Sequence, residues 1–228
     1  MYDPFYMIIT FLFMGISWAV SNTLQRRFKE YSKMPINLTG AQIAEKMLNQ
    51  SGVYDVKVVS VPGALTDHYN PATKTVNLSD WVYGQANVAA AAVAAHECGH
   101  AVQHNEAYAW LNMRSKLVPV VSISARYTQW ILMGGLILWP LIHSPIVFFI
   151  GIVLFALSTA FSFITLPVEF DASRRGLAWL ESSNVLVGVE HEKAKNALWW
   201  AAMTYVVAAL ASLGQLLYYI MLFIRRRD

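Results

Sequence analysis

Residues 89–104 read AAAAVAAHECGHAVQH, and the fold turns on how this stretch is read. Alanine is the strongest helix former, so the run leading into His96 favours a helix without tertiary help. Side chains four apart on a helix share a face. His96 and His100 can therefore aim ring nitrogens at one metal ion, and Glu97 is close enough to hold and deprotonate a metal-bound water. Gly99 and the alanines would let another backbone approach closely. Cys98 points away from the histidine face and reads as a buried bystander; as the single cysteine, it excludes an internal disulfide framework. Packed histidines on an alanine-rich helix would give the same pattern, so the reading needs a third ligand.

Moving outward, the chain is unusually apolar. Hydrophobic residues make up 56% and charged residues 14%, and the mean hydropathy is +0.40. Globular proteins carry about 45–50% apolar and about 25% charged residues. The composition predicts membrane integration. A net charge of +3, with no basic patch interleaved with aromatics, gives no reason to expect nucleic acid.

Upstream, residues 4–20 are apolar and uncharged, extend to about Leu24, and approach the ~20 residues that span a bilayer. A cleavable leader ending near Ala19-Val20-Ser21 is the competing reading. Asp3 and the lack of an N-terminal cation favour an uncleaved anchor. Arg26, Arg27, Lys29 and Lys33 then predict a cytoplasmic flank.

The next segment has the composition of a small soluble domain. Thr39 and Gln42 are spaced for a capping box, and Gly52 is a helix stop. Residues 55–61, 65–69 and 74–78 read as strands, with a turn over 70–73. Ser79 or Asp80 would cap a short turn, and Asn87 the motif helix. The hairpin before that helix is placed to bind an extended peptide by strand addition, and it carries His68 and Tyr69, which are hairpin surface residues or helpers at the site.

Downstream, residues 117–142 and 146–166 form two apolar runs joined at His143-Ser144-Pro145, hence a helical hairpin. Arg126 would snorkel to an interface or line a polar cavity. A last apolar block covers 198–224, with Trp199, Trp200, Tyr218 and Tyr219 as interfacial aromatics and Arg225, Arg226, Arg227 and Asp228 behind it. Four spans place Arg174 and Arg175 in the cytoplasm but the terminal arginines outside.

A catalytic zinc usually has three protein ligands and one open position. His104 continues the spacing but lies about 12 Å from His96 on a straight helix, too far to share an ion. Glu169 opens the polar run EFDASRR after a long apolar helix; it is either the third ligand or an acid favouring the helix dipole. Glu181, Glu190, His191 and Glu192 are weaker choices in a polar segment.

HECGH followed far downstream by EFDAS, with GALTDHYNPATKTVNLS ahead of the alanine-rich helix, resembles the YugP-type neutral zinc metallopeptidases over nearly the whole chain. It is more distantly similar to the HtpX and CAAX prenyl protease group, with HExxH followed by E-F-x-A-D. The resemblance implies one Zn2+ per chain, His96, His100 and Glu169 as ligands, and Glu97 as general base. The group's Asp, which orients a ligating histidine, falls on Ser173 here, and Asp171 is an alternative for that role. Arg174, His68 and Tyr69 are candidate transition-state helpers.

The expected architecture is a mostly α membrane protein with about four transmembrane helices and a small α+β zincin-like domain. It divides into an anchor (1–25), a catalytic domain (26–116), a transmembrane hairpin (117–166), a third-ligand helix with a polar segment (167–197), and a final transmembrane helix with a basic tail (198–228). The expected function is a zinc endopeptidase of a bacterial plasma membrane, facing the cytoplasm, acting on peptides or membrane proteins. An intramembrane site-2-type protease and a non-catalytic zinc-binding scaffold are the alternatives.

Overall fold

The computed structural model describes residues 4–227. Asp3 and Asp228, both used in reading the chain ends, lie outside the described residues. The elements run α1 (Pro4–Tyr31), α2 (Gly40–Gln50), β1 (Lys57–Val61), β2 (His68–Asn70), β3 (Thr75–Ser79), α3 (Asp80–Tyr83), α4 (Val88–Asn105), α5 (Ala109–Ile142), α6 (Ile146–Ser182) and α7 (Val189–Arg227).

The chain forms two compact units, one of residues 20–112 and 167–203, the other of 1–19, 113–166 and 204–228. The expected divisions at 25/26, 116/117, 166/167 and 197/198 each fall inside a helix.

In the first unit, α2 starts as its sequence dictates. Thr39 Oγ1 accepts from the Gln42 N–H at 3.3 Å and the Gln42 side chain accepts from the Thr39 N–H at 2.9 Å, a reciprocal capping box. Asn87 caps α4, its Oδ1 accepting from the Ala90 N–H at 2.9 Å. The alanines leave α4 no bulky face, so neighbours close in on nearly every side. Ala91, Ala92, Ala94, Ala95 and Cys98 are wholly buried beside Ile43, Met47 and Leu78.

The three strands form a mixed sheet in the order β1-β3-β2. β1 runs parallel to β3, and β2 pairs antiparallel with it, His68 opposite Asn77. β3 is therefore central and β2 an outer strand. The middle strand was expected at 65–69 but starts only at His68. Gly63 (φ 103°) and Leu65 (φ 59°) take left-handed conformations, which an extended strand cannot contain. The first strand likewise begins at Lys57, two residues later than expected.

In the second unit, Leu132, Phe148, Ile152, Tyr218 and Tyr219 make the core. α5 and the start of α6 approach closely at Gly135, where a Cβ would lie 2.5 Å from Phe148 backbone atoms. Tyr218 and Tyr219 were expected as interfacial aromatics. They are buried instead, because both pack into this aromatic cluster.

Among the described residues three helices, α1, α6 and α7, are long and apolar enough to cross a membrane. Four had been expected. α5 is 34 residues long, but Arg126, Gln129, Trp139 and Pro140 dilute its apolar run, and it is not among the three.

Candidate metal centre

α4 and α6 bring the candidate residues together through two glycines. A Cβ on Gly99 would sit 2.4 Å from the Ala172 carbonyl oxygen, and one on Gly176 would sit 2.8 Å from the Ala95 carbonyl group. Only hydrogen at these positions lets the two backbones pack this tightly. The backbone anticipated against Gly99 is that of α6, and the contact sets Glu169 opposite the histidines.

The result is a compact donor set. His96 Nε2 lies 3.4 Å and His100 Nε2 3.7 Å from Glu169 Oε2. All three ligating atoms lie within 4.8 Å of one another, in a group that could hold a metal ion. Atoms bound at about 2.1 Å to a tetrahedral zinc ion sit about 3.4 Å apart. The spacing thus fits zinc, and three ligands leave a fourth position for water.

The electrostatics fit as well. Glu169 is only 3% exposed. Burial opposes its charge, but hydrogen bonds and charge from His100 and His96 hold the carboxyl far below the usual carboxylate range. Burial likewise works against a charged His100, and Glu169 outweighs it, raising the imidazole above its ordinary value. The arrangement demands positive charge between the rings and the carboxylate. A proton can supply it, and a divalent cation supplies more.

Each ring nitrogen remote from the centre has a partner. His96 Nδ1 lies 3.0 Å from Ser173 Oγ, and His100 Nδ1 lies 3.0 Å from Gln103 Oε1. Ser173 thus stands beside a ligand candidate where the similar motif has Asp. Asp171 does not touch either histidine. Its carboxylate accepts from Gln103 Nε2 at 2.9 Å and from Arg175 Nε at 2.5 Å, and pairs with Arg174. Burial opposes its ionisation, but these donors hold its pKa below the ordinary value. Arg175 continues to Glu106 at 2.6 Å and lies over the Tyr108 ring.

Glu97 is 8% exposed, and its Oε2 accepts from the Tyr69 N–H of β2 at 2.9 Å. The Tyr69 hydroxyl meets His104 Nδ1 at 2.7 Å, so His104 serves the hairpin and not the donor set. His68 is occupied within the hairpin, its Nδ1 against the Thr66 carbonyl at 2.8 Å and its Nε2 against Asn77 Nδ2 at 3.3 Å. The Arg174 side chain is mostly exposed. Cys98 is buried, with Sγ 3.6 Å from the Ala44 carbonyl. Sequence reasoning overlooked Gln103, although its place three residues after His100 puts it on the same helical face.

An HExxH helix completed by a glutamate from a second helix defines a metallopeptidase-type donor set, and among the described residues three helices are long and apolar enough to cross a membrane. Residues 6–224 match the family described as "Putative neutral zinc metallopeptidase", and the chain belongs to that family. It is 38% identical over 225 residues, 98% of each chain, to the "Putative membrane protease YugP" of Bacillus subtilis (strain 168). No solved structure matches it.

Proposed function

We propose that the protein is a membrane-integrated zinc endopeptidase. The observation that carries this reading is the His96–His100–Glu169 donor set, its ligating atoms within 4.8 Å of one another, with Glu97 beside it on the same helix as the histidines. A zinc ion held by these three residues would lower the pKa of a water to about 7 and polarise the scissile carbonyl. Glu97 takes the water's proton and returns it to the leaving amine. The Tyr69 N–H holds one oxygen of that carboxylate, which fixes the other for proton transfer. Ser173 and Gln103 orient the two imidazoles.

The substrate is a peptide or membrane-protein segment in extended form, laid along β2. The Tyr69 carbonyl, on the same side of the strand as its N–H, is the acceptor for the substrate backbone. An intramembrane site-2-type mechanism is disfavoured because α4 packs against α2 and the sheet, its alanines buried beside Ile43, Met47 and Leu78.

The membrane topology we propose has four spans. That residues 20–112 and 167–203 form one compact unit supports a reading in which both stretches lie on one side of the bilayer. If α6 crosses, its start lies on the other side. The chain must then pass back across between 112 and 146, and α5 is the helix that does so. Arg26, Arg27, Lys29, Lys33, Arg174 and Arg175 favour the cytoplasmic side of a bacterial plasma membrane for the stretches that carry the donor set.

The decisive experiment is Glu97→Gln with a casein or peptide-library assay in the presence of zinc. Turnover should fall by about 10²–10⁴-fold while zinc is retained. Unchanged turnover would reject the mechanism. Wild-type protein that binds zinc and cleaves nothing would favour the non-catalytic scaffold.

A further inference from the structure

Gln103 is wholly buried, and its amide can be oriented in only one way. Nε2 lies 2.8 Å from the Val168 carbonyl and 2.9 Å from Asp171 Oδ2. Both of these are acceptors, so the NH2 end must face them. The oxygen end then faces His100, with Oε1 3.0 Å from Nδ1. An amide oxygen cannot donate, so His100 carries a proton on Nδ1, and the neutral ring has its lone pair on Nε2. That nitrogen is the one aimed at Glu169, 3.7 Å away.

We propose that Gln103 is a positioning residue that locks His100 in the metal-ligating tautomer and thereby sets the zinc affinity of the site. This rests on the metal-site reading above. The lock is anchored on α6, the helix that also carries Glu169, because both acceptors of the amide belong to it. Gln103 also keeps a carboxylate off the imidazole. Asp171 is one amide removed from His100, and its charge is met by Arg174 and Arg175. His100 is thus oriented by a neutral acceptor, whereas a carboxylate partner would raise its basicity.

The test uses the full chain in detergent micelles, with two variants and two readouts. Zinc affinity is measured by competition with a chromophoric chelator. The His100 tautomer is read from imidazole nitrogen shifts of metal-free protein at an alkaline pH where those shifts show the ring to be neutral. Gln103→Leu removes the acceptor and should lower zinc affinity about 10–100-fold, with loss of the single Nδ1–H tautomer. Gln103→Glu keeps an acceptor against His100, and its second oxygen, buried against the Val168 carbonyl and the Asp171 carboxylate, is held protonated by that charge and still donates to α6. It should retain the tautomer and recover most of the affinity.

Wild-type affinity in Gln103→Leu, or an equal loss in both variants, would overturn the proposal. So would an Nε2–H His100 in the wild type, which decides the matter even where Gln103→Leu does not fold. Wild-type protein that binds no zinc would instead overturn the metal-site reading, and its His100 tautomer would still test the lock.

Discussion

Tyr69 meets the centre from two directions, through its N–H to Glu97 and its hydroxyl to His104. Burial, and then the negative charge of Asp55, push the phenol up to about 12. The folded protein holds this proton more tightly than the unfolded chain, whose phenol titrates near 10. The resulting stabilisation is complete below about pH 10 and drains away as pH rises through about 12. Thermal midpoints of wild type and Tyr69→Phe, compared at about pH 9 and about pH 11.5, should show the larger alkaline loss in the wild type. Equal losses would reject the assignment. At this scale much was legible. His96, His100 and Glu97 could be picked out because helical periodicity acts locally, whereas Glu169 stayed one of two readings until the resemblance of HECGH and EFDAS to a known family favoured a ligand. Gln103 could not be picked out, because its role is set by the Val168 carbonyl and Asp171, which lie more than sixty positions away in sequence.

Among the elements, α4 and α6 decide whether the donor set exists. Replacing glycine by alanine inside a helix normally gains up to about 1 kcal/mol. At Gly99 the new Cβ would meet a backbone oxygen at 2.4 Å, so the helices must part. Gly99→Ala should therefore cost about 1–3 kcal/mol net. It should also weaken zinc binding, since Glu169 retreats with α6. Gly15→Ala in α1, with nothing within 4 Å of the new Cβ, is the control and should be neutral or stabilising. Thermal midpoints and chelator competition on both variants check this; a Gly99→Ala protein as stable and as zinc-avid as wild type would contradict it. The helix starts were legible because Thr39 and Asn87 carry their own capping chemistry. The strand order was not. Val76 and Leu78 alternate with Thr75 and Asn77 as if one face were polar, yet Asn77 and Ser79 are buried too, and no alternation tells which strands flank β3, whose parallel partner β1 comes from beyond β2 in the chain.

For the whole molecule, the parity of the crossings gives a direct prediction. A reporter fused after Lys33 and another in the turn at His143-Ser144-Pro145 should register opposite sides of the membrane, the first cytoplasmic. A reporter following Arg226 should match the turn. Agreement between the first two would reject a spanning α5. The apolar runs at 117–142 and 146–166 suggested this count in the sequence; Arg126 and Gln129 dilute the first of them, so α5 is the pass that the fusions test. The chain passes between its two units at 19/20, 112/113, 166/167 and 203/204, and every passage lies inside a helix. All the non-helical segments among the described residues lie within one unit or the other. A peptidase crowded in a bilayer has other copies of itself as its most abundant neighbours. It cuts chain that can be drawn out as a strand, and helical backbone has already committed its N–H and C=O groups. None of the four joints is such a chain, so on the activity proposed above a second copy would find no extended backbone to cut where a cut would separate the two units.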